Sequence, residues 1–383
     1  MALVDRVQNV CVSLTTSMIL LRMCHMCYSL QRIRKLLLLF GEKIWIRQQS
    51  YPFIYQQCIT RMKPALYMGL CLFSMALAYL FIPIGFFIST GQTLESPDKR
   101  FAYLVSLPYD AQKPLNYILT SIGIFVFALM AATQSYARDA MLSFFVSFLC
   151  GQYEVLHGRI DRLIPECHAK WLRERVDRNA TIGRNLKQLQ DLYEERLQQL
   201  IIHHNHLIRF GEELNSFFSF PLFVNLSTAT LQIGFGVFQF LISGKDSYGD
   251  FARFLLYVLA VTGQLFVICN LGNTLIFRSQ ETAEHLFNCN WEGGRISRYA
   301  MIFKQSDNEE FNALNEAFPM WPYIRYNPSG KRFQQKLNFM IMRCQRPVRL
   351  SAMNYATLSL ETFGRILSSS LSYFALLKSF LDK

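Results

Sequence analysis

Six stretches of this chain are apolar over about twenty residues each, and that recurrence constrains the fold more than any motif does. They run from about 7 to 28, 64 to 90, 115 to 132, 217 to 241, 251 to 277 and 358 to 381. A helix rising 1.5 Å per residue needs about 20 residues to cross a hydrocarbon core of about 30 Å. Backbone in that core must satisfy its own hydrogen bonds, which helices do segment by segment. The pattern predicts an all-α, polytopic membrane helical bundle. Composition agrees where it bears on the point: 17% of residues are charged, against about 25% in soluble proteins.

The connections divide the chain. Residues 1–150 hold spans one to three. The stretch 151–216 is amphipathic, with apolar residues at 186, 189, 192, 193, 197, 200, 201 and 207 marking a helical period. Residues 217–277 hold spans four and five. Residues 278–353 are polar again, with helical spacing from Lys331 to Met342 and a Pro-rich stretch, FPMWPYIRYNPSG, inside an atypical insert at 295–330. Residues 354–383 form the terminal span. Pro83 predicts a break in span two.

Charge orients the bundle. The segment 30–63 carries seven Lys and Arg, and the segment 91–113 carries three. Basic residues collect in cytosolic loops, so 30–63, 137–216 and 278–353 face the cytosol and the C-terminus lies outside. The net charge of +12 then needs no nucleic acid as partner. No P-loop, GxSxG, HExxH or paired-carboxylate pattern occurs, so no enzyme and no cofactor is expected. Cys24 and Cys27 have CxxC spacing but no second ligand pair, and His203, His204 and His206 lack a matching acidic or Cys partner. Neither is expected to bind metal.

The outer halves of spans one, two, three and five are rich in aromatics with a few hydroxyls: Thr15, Met18, Tyr79, Phe86, Tyr117, Thr120, Phe127, Phe254 and Tyr257. Such a lining suits a small apolar ligand, bound by burial with one or two orienting polar contacts. Packing or lipid contact is the alternative for each of them. The terminal span carries Ser359, Thr362, Ser369, Ser370 and Ser372 among aliphatics. Such a helix faces protein on one side and water on another, and can line a pore; a bundle helix with Ser/Thr packing is the alternative.

The terminal stretch, with SLETF at Ser359–Phe363 and SYF at Ser372–Phe374, resembles the closing segment of insect odorant receptors, a family of heteromeric ligand-gated cation channels. Ser372 and Ser379 stand where gustatory receptors have Thr and Gln, which favours the odorant branch. The resemblance implies a tuning subunit of an odorant-gated nonselective cation channel, in a heterotetramer with an odorant co-receptor subunit. It would sit in the plasma membrane of olfactory sensory neurons and bind a small volatile organic ligand. It implies cytosolic helical extensions as the oligomer contacts. By resemblance Tyr79 is an aromatic pocket position faced by Thr120, Ile124 and Phe127. Leu376 and Phe380 form an apolar gate bordered by Ser372 and Ser379, with Lys378 turned away. It also implies that the first span is the family's second helix, and that about 35 residues between Trp291 and Lys331 are additional; an error in the gene model would explain both. A gustatory-type receptor channel, or a non-channel membrane receptor or transporter, is the alternative.

Overall fold

The computed structural model describes residues 2–90, 101, 109–110, 113–178, 182–243, 248–292, 294–297, 323–326 and 329–381. Within these, only the backbone is described for 2–12, 75, 78–80, 82–90, 172–178, 182–186, 240–243, 248–254, 294–297, 323–326, 377 and 380–381.

The elements are α1 (Ala2–Tyr28), α2 (Leu30–Leu39), a π turn (Phe40–Ile44), α3 (Pro52–Thr90), α4 (Pro114–Asp161), α5 (Leu163–Arg178), α6 (Ile182–Ser243), α7 (Tyr248–Phe287), α8 (Lys331–Cys344) and α9 (Leu360–Leu381). Two small antiparallel ladders join them. One pairs β1 (Gly294–Ser297) with β2 (Tyr323–Tyr326), within the segment expected to be an insert. The other pairs β3 (Ser351–Ala352) with β4 (Ala356–Thr357). The bundle is helical, as the apolar recurrence requires.

The helices are longer than the spans they contain. The 62 residues of α6 extend about 93 Å, and the 48 of α4 about 72 Å. Each exceeds a hydrocarbon core of about 30 Å by a factor of two or more, so both must project beyond it. The amphipathic stretch and span four are thus one uninterrupted helix, through Pro221. The break expected at Pro83 is absent: α3 continues to Thr90. Proline is tolerated within membrane helices because neighbours satisfy the freed carbonyl. Over their described residues, α4, α6 and α7 are long and apolar enough to span a membrane.

The core lies where these projections meet. Phe145, Phe148, Leu149, Tyr153 and Leu156 of α4 are fully buried against Leu207, Phe210 and Leu214 of α6 and Leu275 and Leu286 of α7. Phe40 from the π turn sits 5.2 Å from the ring of Phe145 and 5.6 Å from that of Phe148. Trp45 stacks on Phe148 at 5.1 Å. Aromatic pairs at these separations add to what burial alone contributes. The helix C-terminal to this core is held by close approach: a Cβ on Gly272 would fall 2.3 Å from Leu358 Cβ and 2.5 Å from its carbonyl oxygen. Only glycine lets α7 pass the turn before α9 at that distance.

Candidate ligand site and terminal helix

The expected pocket residues fall into two groups, each built around one helix. The first gathers on α6. Its Asn225, Thr228, Gln232 and Gln239 are spaced three, four and seven apart, which places them on one face. Asn225, Gln232 and Gln239 are buried. Gln232 Nε2 donates to Thr15 Oγ1 of α1 at 3.0 Å. The Thr228 hydroxyl lies 2.9 Å from Met18 Sδ and 2.7 Å from the carbonyl of Val224. One turn deeper, the Arg22 guanidinium donates to Asn225 Oδ1. One turn on from Gln232, Tyr257 of α7 packs across Gly236, where a Cβ would meet the ring Cδ1 at 3.3 Å. Thr15, Met18 and Tyr257 thus each pack on α6.

The second group stands on the N-terminal end of α4. Tyr117 is buried, its ring 4.9 Å from that of Phe101. Thr120 donates to the carbonyl of Asn116 at 2.6 Å, so the Tyr109 hydroxyl, 2.8 Å away, donates to Thr120 Oγ1. Asn116 Nδ2 donates to the carbonyl of Asp110 at 2.8 Å. Residues 101, 109 and 110 thus close over α4. Further down the same helix Ile124 is half-buried and Phe127 is exposed. The side chains of Tyr79, Phe86 and Phe254 lie outside the described residues.

Sequence reasoning missed Gln232 and Thr228, because the expected pocket drew on spans one, two, three and five and left out span four. It missed Phe101 and Tyr109, which fall in the connection 91–113, and Asn116 at the start of span three. For α6 the signal was present: four polar residues at helical spacing inside an apolar run.

The terminal helix has two faces. Thr362, Ile366 and Ser370, four residues apart, are buried. Ser370 Oγ lies 3.0 Å from the carbonyl of Thr230 on α6 and 2.8 Å from that of Ile366. At Gly234 a Cβ would sit 3.1 Å from the Ser370 carbonyl, so α6 and α9 cross there in near backbone contact. Phe363 meets Phe266 of α7 edge-on at 5.5 Å. The opposite face carries Arg365, Ser368, Ser372, Leu376 and Ser379, all exposed. Ser372 and Ser379 turn their hydroxyls onto the carbonyls of Ser368 and Leu376, at 3.1 and 2.8 Å. At about 100° per residue, Lys378 lies about 100° away from Ser379. The side chain of Phe380 lies outside the described residues.

Below the spans, the helices are tied by polar contacts that need burial to form. Glu154 of α4 takes Arg61 of α3 and, at 3.3 Å, Arg278 of α7. Asp161 of α4 holds His285 of α7 at 2.8 Å, and this carboxylate raises the His285 pKa. His285 stacks at 4.3 Å on His157, whose Nε2 is 3.0 Å from Thr282 Oγ1. Burial, with the neighbouring His285 adding to it, holds His157 down to about 3. His203 lies 3.1 Å from Gln152 Oε1, and His204 lies 3.7 Å from Cys344 Sγ; burial holds each near 4. The neutral rings act as packed hydrogen-bonding groups. Cys24 and Cys27 are exposed on α1.

A family model described as 7tm Odorant receptor matches residues 3–305 and 309–371. Odorant receptor 13a of Drosophila melanogaster is 30% identical over 374 residues, covering 97% of this chain and 79% of the relative. Odorant receptor 67c of the same organism is 23% identical over 74% of this chain, which spans 56% of its length. The odorant receptor coreceptor of Ooceraea biroi is 23% identical over 52% of this chain and 34% of its own length. Among solved structures, the insect olfactory receptor OR5 from Machilis hrabei in complex with eugenol superposes with a TM-score of 0.70 at 12% identity, covering 99% of this chain and 83% of the other. That last likeness is one of fold.

Proposed function

The chain belongs to the insect odorant receptor family, multi-pass membrane receptors rather than enzymes, and from that membership we propose that it is a tuning subunit of a heteromeric, odorant-gated, nonselective cation channel. Its partner is an odorant co-receptor subunit, in a heterotetramer. Its site is the plasma membrane of olfactory sensory neurons, with the C-terminus outside.

The observation that carries this reading is the exposed stripe of α9. Ser372 and Ser379 satisfy their hydroxyls within the helix, but the exposed Arg365, paired with Glu361 at 2.9 Å, would be costly against hydrocarbon. Water and neighbouring subunits around a common axis resolve that conflict. Leu376, and Phe380 one turn on, then form an apolar ring that gates by excluding water. A second stripe supports assembly. On α8, Phe339 and Met342 are exposed at helical spacing opposite the buried Phe333, Leu337, Met340 and Cys344. An exposed apolar stripe on a helix outside the bilayer calls for a protein partner.

The outer pocket binds a volatile organic ligand. Phe127, Ile124, Tyr117 and Tyr257 supply apolar contact, with Tyr79 on α3; Thr15, Met18 and Thr120 orient polar groups. The eugenol held by OR5 of Machilis hrabei is consistent with that class. Binding opens the channel only by favouring the open state, so the ligand must bind that state more tightly.

The test is current across cells expressing the chain with and without a co-receptor, under a panel of volatile odorants. The expected result is an odorant-evoked cation current that needs both chains, with basal current raised by Leu376→Ala. A current of unchanged basal level and selectivity in Leu376→Ala would remove the gate assignment. A C-terminal epitope reached only after permeabilisation would overturn the orientation.

A further inference from the structure

The α1–α2 elbow carries a surface that neither the pocket nor the pore uses. One stripe of α2 and the π turn, Ile33, Leu36, Phe40 and Ile44, packs into the core. A second stripe runs Leu30, Arg34, Leu37, Leu38 and Gly41, at intervals of four, three, one and three. It is fully solvent-facing in one copy: Leu30 is 64% exposed, Leu37 50% and Leu38 63%. A helix with one face in the protein and an adjacent leucine face outside is amphipathic twice over.

Its charges point to what covers that second face. Residues 30–47 contain five cations, Arg32, Arg34, Lys35, Lys43 and Arg47, against one carboxylate, Glu42. Lys35 is bound to Glu213 of α6 at 2.6 Å, which fixes α2 against the bundle. The other four have no carboxylate partner among the described residues. Arg34 stands within the leucine stripe itself. A protein partner would need an apolar surface with carboxylates set inside it; the boundary between acyl chains and phosphates offers both chemistries along one plane.

Position agrees. The 27 residues of α1 span about 40 Å, which is the hydrocarbon core plus the headgroup zone. The helix therefore delivers Tyr28, 87% exposed, and the start of α2 to the headgroup level. Exposed tyrosine is characteristic of that level.

We propose that α2 is an inner-leaflet binding element for anionic phospholipids, its leucines inserted among acyl chains and Arg32, Arg34, Lys43 and Arg47 on headgroup phosphates. The leaflet named rests on the topology proposed above; the lipid contact does not. Because Lys35 ties α2 to α6, lipid bound here bears directly on the helix that lines the ligand site.

The experiment uses the full chain in nanodiscs of phosphatidylcholine with one-fifth phosphatidylserine, counting retained lipids by native mass spectrometry. Both faces of a nanodisc carry the same lipid, so the result is independent of orientation, which the epitope assay tests separately. Phosphatidylserine is expected to be retained preferentially, and less so as salt rises. Each basic residue near an anionic surface is worth about five-fold, so Arg32→Gln with Arg34→Gln should reduce retention about thirty-fold. Lys170→Gln with Lys187→Gln removes the same charge far from the elbow and should leave it unchanged. Equal retention of the two lipids would overturn the proposal. So would equal losses in the two double variants, or binding of soluble inositol hexakisphosphate without retention of phosphatidylserine.

Discussion

The two halves of α4 have nearly the same apolar character and opposite surroundings. From Leu142 to Leu156, almost every residue is buried, including Ser143, Ser147 and Gln152. From Leu115 to Met130, only Tyr117, Thr120 and Ala128 are. The C-terminal half is enclosed by α2 and the π turn, α3, α6 and α7. Among the described residues, the N-terminal half meets little protein beyond α3 and residues 101, 109 and 110. The difference separates two tasks. Close packing on all sides makes the C-terminal half rigid and carries the folding free energy. The N-terminal half, with few buried contacts, can change its surroundings at small cost to the fold, which suits the ligand site proposed there.

Paired substitutions test that division most strongly. Phe148→Ala should destabilise the purified chain by about 3–5 kcal/mol, as large-to-small changes in closed cores do. Phe127→Ala on the same helix should cost under about 1 kcal/mol and shift the odorant concentration for half-maximal current instead. Equal losses in melting temperature would break the comparison.

Gly272→Ala probes the same division by overfilling. The added methyl meets a backbone carbonyl that cannot rotate away, so a loss of about 1–3 kcal/mol is expected, read as reduced thermal stability. Gly123→Ala, in the N-terminal half of α4, has nothing within 4 Å of the new carbon and should be neutral or slightly stabilising.

The smallest effect sharpens the chemistry of the inner region. His157, His203 and His204 are held near 3, 4 and 4 when folded and titrate at about 6.5 when unfolded. Their stabilisation is present above pH 6.5 and is lost as pH falls toward those values. His285, raised by Asp161, works oppositely: its contribution is present below about 6.5 and is lost as pH rises through its folded value. His168, also held near 4 by burial, adds to them, and four groups against one predict a falling melting temperature between pH 7 and 5. Hydrogen exchange should show the opening in α4, α6 and α7 below the spans, and His157→Gln should flatten the trend.

Much of this was legible beforehand. The apolar recurrence marked the helices, and the helical period at 186–207 marked the amphipathic stretch. On the terminal helix the serine spacing was misleading: Thr362, Ser370 and Ser372 were grouped together, whereas Thr362 and Ser370 are buried and Ser372 is exposed. The fusion of that stretch with span four into one helix could not be read, because Pro221 and the change from polar to apolar suggest a boundary. The rings that close over Tyr117 could not be placed either, since Phe101 and Tyr109 come from a connection whose path depends on tertiary contacts. His157 and His285 are 128 positions apart in the chain, so their stacking left no local signal.

By itself the sequence determined that this is a helical membrane protein, and its closing SLETF and SYF segments carried the resemblance to odorant receptors. The first follows from hydropathy and the second from short motifs, and both are local. The tertiary structure alone decided which apolar residues are core and which are open. Phe145 and Phe127 are the same residue type on one helix; only the helices packed around the first, and absent around the second, distinguish them.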